Sequence, residues 1–431
     1  MESVTPRTEV ILSRRHFLKT TALLGTALVV EVSLPGCSTT PATTLNNETW
    51  TANAWLSISE NNHISFVLDR VEMGQGTMTG LTTLIAEELG VDPGCIDVMA
   101  ARADRRYANP AYGVQLTGGS TSMSTSFLPL RRAAAALRMA MTEAAARRWS
   151  TTPAEITVQS GRLLHGENSA TYGDLVQEAA QIGLPADDKI VLKDAASFRY
   201  IGKAGPRLDA QMKVMGTGTF GIDVQRPVLY KAALKRCPIP GGTVKSWKDT
   251  GATKRKGIKR VVAIDTGVAV VAENWWQAQQ ALAMIEIEWE NTELHTLNTA
   301  KIYEQFQHAA RHESGKSIRS DGAGESGLEK AGSVIEAEYR APYLAHATME
   351  PMNCTVQLSA DFCEIWAPTQ GPDVVANWAE RITGLPRRKI EVHTTLIGGG
   401  FGRRLTQDFA IEAVKIAKAS GLPVQLIWSR T

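Results

Sequence analysis

Three glycine-rich loops, each set ahead of a helical pattern, constrain this chain more than any other feature. They are Gly74-Gln75-Gly76-Thr77, Gly118-Gly119-Ser120-Thr121-Ser122 and Gly398-Gly399-Gly400-Phe401-Gly402. Glycine lets the backbone turn at positive φ and approach a ligand closely. The free N–H groups and dipole of a helix start favour phosphate or another anion. Ser and Thr hydroxyls add donors. One such loop is most often only a tight turn. None of the three follows the Gly-x-Gly-x-x-Gly or Gly-Lys-Ser/Thr patterns of the common nucleotide folds. Three together imply a large, multiply charged ligand.

Around the loops the pattern is mixed α+β. Ala54–Ser59 and His63–Asp69 alternate apolar and polar about Asn61-Asn62 and read as a β-hairpin. Leu81, Leu84, Ile85, Glu88 and Leu89 mark an amphipathic helix ending at Gly90. Asp97–Ala101 reads as a strand and Phe127–Trp149 as an Ala/Arg-rich helix. Residues 154–180 hold a strand, a turn at Gly161 and a short helix. A composition shift near Lys203–Gly218 marks a boundary. Val228–Leu234, Val261–Asp265, Val268–Ala272 and Met284–Trp289 read as strands, with one helix at Asn274–Ala283. Glu293–Glu329 is polar and reads as a linker. Strands follow at Val334–Tyr339, Cys354–Leu358, Cys363–Ala367, Lys389–Thr394 and Val424–Trp428, with helices at Asp373–Thr383 and ahead of Gly421.

The N-terminus reads as an address. Ser13-Arg14-Arg15-His16-Phe17-Leu18-Lys19 puts paired arginines before a short apolar run, then Leu34-Pro35-Gly36-Cys37. This is a Tat-type export signal, which implies a periplasmic destination for an already folded protein. The last four residues resemble a lipobox, and lipidation at Cys37 would tether the chain to a membrane. The run is broken by Glu31 and Pro35, so a spanning helix is not expected.

Net charge is +2 over 431 residues, with 46 Lys and Arg against 44 Asp and Glu, which leaves no electrostatic footprint for nucleic acid. The five cysteines form no Cys-x-x-Cys pair, so no iron–sulfur cluster is expected in this chain. Inert thiols are the favoured reading, with a disulfide left open.

Taken as a set, Val71-Glu72-Met73-Gly74-Gln75-Gly76-Thr77, Thr117–Ser122, His346-Ala347-Thr348-Met349-Glu350-Pro351, Pro368-Thr369-Gln370 and Gly398–Arg404 resemble the molybdenum-binding large subunit of the xanthine oxidase family. The resemblance runs from about Trp55 to the last residue. The Gly-Gly-Gly-Phe-Gly element comes after the Gly-Gln-Gly element, the reverse of ordinary family members. That order resembles the branch of isoquinoline 1-oxidoreductase beta subunits and exported aldehyde dehydrogenases.

The resemblance implies a fold of molybdenum-cofactor-binding domains with an inserted α/β-hammerhead domain. The expected divisions are a signal at 1–37, a linker at 38–53, a molybdopterin-binding region at 54–204, a hammerhead at 205–292, a linker or excursion at 293–332, and a second molybdopterin-binding domain at 333–431.

The implied cofactor is molybdopterin cytosine dinucleotide, its molybdenum held by the pterin dithiolene and not by protein ligands. Gln370 would donate its amide to the metal's oxo group, and the backbone about Gly399, Gly400, Phe401 and Gly402 would contact the same group. Gly74, Gln75, Gly76 and Thr77 would cradle the pterin or its phosphates. Gly118, Gly119, Ser120, Thr121 and Ser122 would take the dinucleotide. Arg403 and Arg404 read as phosphate partners or solvated charges. His346, Glu350 and Glu72 read as groups that shape the loops.

The implied reaction hydroxylates an N-heterocycle or an aldehyde with water as oxygen source, a glutamate acting as general base. Electrons would pass to a small [2Fe–2S] subunit and then a cytochrome c. The family's glutamate lies in a Gly-x-Gly-Glu stretch, and none follows Gly402. The catalytic residue is therefore unknown, and the chain reads as C-terminally truncated. Two alternatives stay open: a truncated, non-catalytic cofactor-binding protein, or an exported lipoprotein that binds an anionic ligand.

Overall fold

The computed structural model describes residues 27–31, 54–290, 292–322 and 324–430. Cys37, the linker at 38–53 and most of the export signal lie outside the described residues. The chain divides into two compact units, one of Met1–Lys231 with Thr348–Ser429 and one chiefly of Ala232–Ala347.

The first unit opens with a sheet of order β1-β2-β3-β4, namely Ala27–Glu31, Ala54–Ser59, Ile64–Leu68 and Ile96–Ala100. The expected hairpin is present: β2 and β3 pair antiparallel, and Asn62 turns at φ 61. β3 and β4 are parallel, so the chain crosses over between them through helix α1, Thr77–Leu89. This crossover puts Gly74–Thr77 just past the carboxyl end of β3, where α/β units characteristically bind ligands.

Helix α2 runs Thr121–Trp149 and begins earlier than the Phe127 expected from sequence. Two features hid its start. Residues 120–126 are rich in Ser and Thr, which favour turns, and Pro129 reads as a first-turn residue although it lies inside the helix. The Thr121 hydroxyl donates to the Gly118 carbonyl at 2.8 Å and the Thr125 hydroxyl to the Thr121 carbonyl at 2.7 Å. Leu81, Leu84, Ile85 and Leu89 of α1 share a core with Leu130, Ala134, Leu137 and Met141 of α2. Residues 154–180 form three antiparallel strands, β5 Thr157–Gln159, β6 Arg162–His165 and β7 Asn168–Thr171, where one was expected, before helix α3 at Val176–Ile182.

In the second unit, β8 (Tyr230–Arg236) leads into β9 (Thr243–Asp249), β10 (Ile258–Ile264), β11 (Gly267–Ala272), helix α4 (Trp275–Leu282) and β12 (Ile285–Glu290). β10 pairs antiparallel with β11, and β9 with β12. Val268, Val270, Ala278, Leu282 and Ile285 make its core. β9 escaped the sequence reading because Lys245, Ser246 and Lys248 interrupt its apolar character. The stretch Glu293–Glu329, read as a linker, contains a full amphipathic helix, α5 (Thr299–His312), with no buried residue. The strand expected at Val334–Tyr339 is absent, and these residues are exposed. Their alternation suits a strand, but no neighbouring strand pairs with them, and pairing is what makes a strand.

The first unit closes with β13 (Asn353–Leu358), β14 (Cys363–Ala367), helix α6 (Pro372–Thr383), β15 (Ile390–Thr394), helix α7 (Asp408–Ser420) and β16 (Val424–Ile427). The strand order here is β16-β13-β14-β15. Only β14 and β15 are parallel, joined across α6. Pro368–Gln370 therefore follows the carboxyl end of β14, and Gly398–Gly402 lies beyond that of its neighbour β15. Cys354 and Cys363 are buried free thiols, and burial pushes Cys363 up to about 12.

No helix among the described residues is long and apolar enough to cross a membrane. No cluster of His, Cys, Asp and Glu among them could hold a metal ion.

Candidate cofactor-binding site

All three glycine loops and Gln370 belong to the first unit, and hydrogen bonds join two of the loops through Gln370. Thr117, just before the second loop, donates its N–H to the Gln370 carbonyl at 2.8 Å. The Gln370 side-chain amide returns a bond from Nε2 to the Thr117 carbonyl at 2.9 Å. The Gln370 N–H donates to the carbonyl of Arg404, just past the third loop, at 3.1 Å. The Thr117 hydroxyl accepts from the Val71 N–H at 2.9 Å, which brings in the start of the first loop.

Gln370 is buried, and its Oε1 has no hydrogen-bond partner among the described residues. A buried, unsatisfied amide oxygen is costly, so such an atom marks either strain or a functional place. Gly400 faces it. A Cβ on Gly400 would lie 2.9 Å from Gln370 Oε1 and 2.2 Å from Met73 Sδ, so a side chain there would displace the Met73 thioether and crowd the amide. Next to it, Phe401 is 71% exposed and holds a left-handed backbone at φ 53, an uncommon state for a bulky residue.

The third loop differs from expectation in its setting. A single turn, Arg403–Leu405, follows it, and α7 starts only at Asp408. Its amides are therefore not a helix start. A buried ion pair organises it. The Glu350 carboxylate accepts from Gly398 N–H (2.9 Å), Asn353 Nδ2 (2.9 Å), Ile222 N–H (3.1 Å) and Arg404 Nη2 (3.2 Å). Arg404, fully buried, also donates to the carbonyls of Gly399 (2.9 Å), Pro368 (3.2 Å) and Glu350 (2.8 Å). It is thus neither a solvated charge nor placed to meet a phosphate. Arg403 pairs with Asp408 at 2.8 Å and lies over the Trp428 ring. Glu350 shapes the loop as the sequence suggests, while His346 is exposed.

The first loop is filled from within. Glu72 is buried, and its Oε1 accepts from Gly74 N–H at 2.8 Å and Gly76 N–H at 3.2 Å. Its Oε2 accepts from Met78 N–H at 2.9 Å. Gly76, the residue ahead of α1, is at φ 88, which the turn requires and glycine supplies. The Gln75 side chain folds back on its own loop, donating to the Val71 carbonyl and accepting from Met73 N–H, both at 2.7 Å. Gln75 therefore spends its amide oxygen and one N–H on its own loop. Thr77 is buried.

The second loop contrasts with the first. Ser120 precedes α2 in a left-handed conformation, with no side-chain cap and no acidic residue in the first turn. Asn109 Nδ2 donates to the Thr121 hydroxyl at 2.8 Å and the Leu116 carbonyl at 3.1 Å, fixing the loop from below. Gly119 and Ser120 are exposed, and Gly118, Thr121 and Ser122 partly so. Sequence reading placed Thr117 in a motif without a role, and missed Asn109, Arg207, whose Nη2 meets Glu72 Oε1 at 3.1 Å, and Asp209, which binds that guanidinium. Their signals are only polar residues close to the glycine motifs or, for Arg207 and Asp209, far from them in the chain.

Residues 303–431 and 13–224 each match a family described as a molybdopterin cofactor-binding domain. The chain is 31% identical to isoquinoline 1-oxidoreductase subunit beta of Brevundimonas diminuta, over all of this chain and 61% of that protein. It is 30% identical to a membrane-bound aldehyde dehydrogenase (pyrroloquinoline-quinone) of Gluconacetobacter polyoxogenes, over 99% of this chain and 56% of that one. Quinoline 2-oxidoreductase of Pseudomonas putida 86 superposes with a TM-score of 0.40 at 17% identity, over 52% of this chain and 34% of that one. The chain thus spans less than two thirds of the relatives it matches. It is a molybdopterin-binding chain and belongs to the xanthine oxidase family.

Proposed function

We propose that the chain is the large subunit of a molybdenum hydroxylase that oxidises N-heterocycles or aldehydes with water as the oxygen source. The cofactor is molybdopterin in its cytosine dinucleotide form. Electrons leave through a small [2Fe–2S] subunit and then a cytochrome c. Export by the Tat pathway to the periplasm, with a lipid tether at Cys37, completes the reading.

The observation that carries it is the unpartnered Gln370 Oε1 beside a glycine whose Cβ would crowd it. The residues fit the cofactor at that point. When bound, the cofactor supplies two-electron oxidation and oxygen-transfer chemistry. Gln370 would orient its metal-oxygen group by donating the second N–H of Nε2, the first being held by the Thr117 carbonyl. The backbone of Gly399, Gly400, Phe401 and Gly402 would meet the same group, held in place by Arg404. Gly118, Gly119, Ser120, Thr121 and Ser122 would bind the dinucleotide phosphates at the uncapped start of α2. Glu350 and Glu72 do not serve as general base in this reading, because the oxygens of both already accept backbone N–H bonds.

The test is to express the chain with its small subunit and measure molybdenum and released cytidine nucleotide per chain. Dye-linked oxidation of isoquinoline, nicotinate and aldehydes is assayed alongside. Stoichiometric molybdenum with a cytidine nucleotide is expected. Folded complex that carries pyrroloquinoline quinone, or no molybdenum, would overturn the proposal.

A further inference from the structure

Among the described residues, the start of α1 is the one glycine-rich helix start whose amides are already bound to a carboxylate. That anion is Glu72. Three backbone N–H groups, of Gly74, Gly76 and Met78, converge on its carboxylate at 2.8, 3.2 and 2.9 Å. This is the donor set a phosphate would use at a helix N-terminus. The carboxylate is itself held. Arg207 Nη2 reaches Glu72 Oε1 at 3.1 Å, and Arg207 Nη1 donates to the Gly74 carbonyl at 2.8 Å. Asp209 grips the same guanidinium with two bonds, at 2.9 and 2.7 Å. Lys213 pairs with Asp209 and stands 3.9 Å from Glu72. Arg207 and Lys213 hold the Asp209 carboxyl down at about 2.

We propose that Glu72 acts as an internal anion that closes the α1 start. The loop Gly74–Thr77 then meets the cofactor through neutral groups only, and the cofactor's phosphates are left to the uncapped start of α2. Arg207 is the positioning residue that keeps Glu72 on the amides. The inference refines the proposed function by assigning the first loop a neutral role. It does not depend on the enzyme being active. Two buried carboxylates, Glu72 and Asp209, meet two cations, Arg207 and Lys213, so the network is balanced without any bound anion. A phosphate added beside Glu72 would face its charge at close range and be repelled.

The experiment uses the full chain and inorganic phosphate, with chloride at matched ionic strength as control. The readouts are thermal unfolding and amide signals of labelled Gly and Met. In the unchanged chain, the Gly74, Gly76 and Met78 amides are expected not to respond to phosphate. Glu72→Ala opens the three amides. Those amides are then expected to titrate with phosphate at a concentration at least about tenfold below any at which the unchanged chain responds, equivalent to ~1.4 kcal/mol, and the lost thermal stability to return with phosphate. Acetate, which restores a carboxylate, is expected to rescue it too.

If Glu72→Ala does not fold, Glu72→Gln carries the test with a weaker gain of the same sign. Arg207→Gln is expected to produce an intermediate phosphate response. Phosphate shifts at Gly76 and Met78 in the unchanged chain would overturn the proposal. So would the absence of any gain in the Glu72 variants. Neither result depends on molybdenum loading, so a failure here is distinguishable from a failure of the enzyme assignment.

Discussion

A methyl group on Gly400 would displace Met73 Sδ and crowd Gln370 Oε1. Gly400→Ala is therefore expected to push Gln370 from its place between Thr117 and Arg404. Molybdenum content should fall several-fold while circular dichroism stays close to that of the unchanged chain. Metal analysis of purified complex checks this, and full molybdenum in the variant would show that Gln370's placement does not matter.

Asp373, three residues beyond Gln370, is buried, and neither carboxylate oxygen has a hydrogen-bond partner among the described residues; Arg387 stands 3.8 Å away. Burial raises its carboxyl above the ordinary 3.8, with Arg387 opposing. In the folded state it holds its proton to higher pH than in the unfolded chain. Stability is thus greatest at low pH for this group and falls as pH rises from 3.8 through the raised folded value. Asp373→Asn should raise the unfolding temperature at about pH 8 and have little effect near about pH 4. An equal gain at both would refute the ionisation account.

At this scale the sequence disclosed the motifs but not their internal bonds. Gln370 and Gly400 stand out as residues. That Glu72 fills the first loop is not legible, because it depends on Arg207 and Asp209 arriving from far along the chain.

Helices α1 and α2 carry the clearest case of an element whose burial pattern misleads. Glu87 and Glu88 end an amphipathic helix, a place where acids usually face water. Both are fully buried. Glu88 accepts from Arg131 at 2.9 Å through Nε, lies 2.7 Å from its Nη2, and takes a longer bond from Arg138 at 3.3 Å. Glu87 Oε2 collects the N–H groups of Arg199, Tyr200 and Ile201 at 2.9, 2.7 and 3.2 Å. Arg131 also lies over the rings of Phe127 and Phe198.

Removing one partner of such a pair leaves the other charge buried and uncompensated. Glu88→Ala is expected to cost about 3 to 5 kcal/mol, against about 1 kcal/mol or less for loss of the exposed Glu143–Arg147 pair. Urea unfolding of both variants checks the contrast, and equal losses would contradict it. The apolar periodicity of α1 was enough to find the helix and its Gly90 end. It could not reveal the acids' partners. The start of α2 was lost for a related reason: Thr121 bonds to the Gly118 carbonyl ahead of the helix and Thr125 to the Thr121 carbonyl, a choice that composition does not record.

Across the molecule, one stretch joins none of the sheets. Among the described residues, 313–347 carry only a short helix, Gly324–Glu329, and no strand, although Val334–Tyr339 alternates as a strand would. Ile318 is 96% and Ile335 95% exposed, and Tyr339 and Leu344 are largely exposed too. Strand character that finds no partner leaves backbone donors and acceptors to water. Local opening is then easy, because few buried contacts must be given up. Lys316, Arg319, Lys330 and Arg340 offer tryptic sites within this stretch.

Brief trypsin treatment of the isolated chain should therefore cut first between Lys316 and Arg340. Amides of 333–347 should exchange far faster than those of β13, whose N–H groups are bound on both sides by β14 and β16. Intact-mass analysis of the first fragments and hydrogen exchange read the two outcomes. Primary cleavage within 54–290, or slow exchange at 333–347, would mean that this stretch is covered in solution. In the complex with a small subunit, slower cutting at the same sites than in the isolated chain would place these exposed aromatic and aliphatic side chains against the partner. Unchanged cutting would leave the stretch facing water in both states.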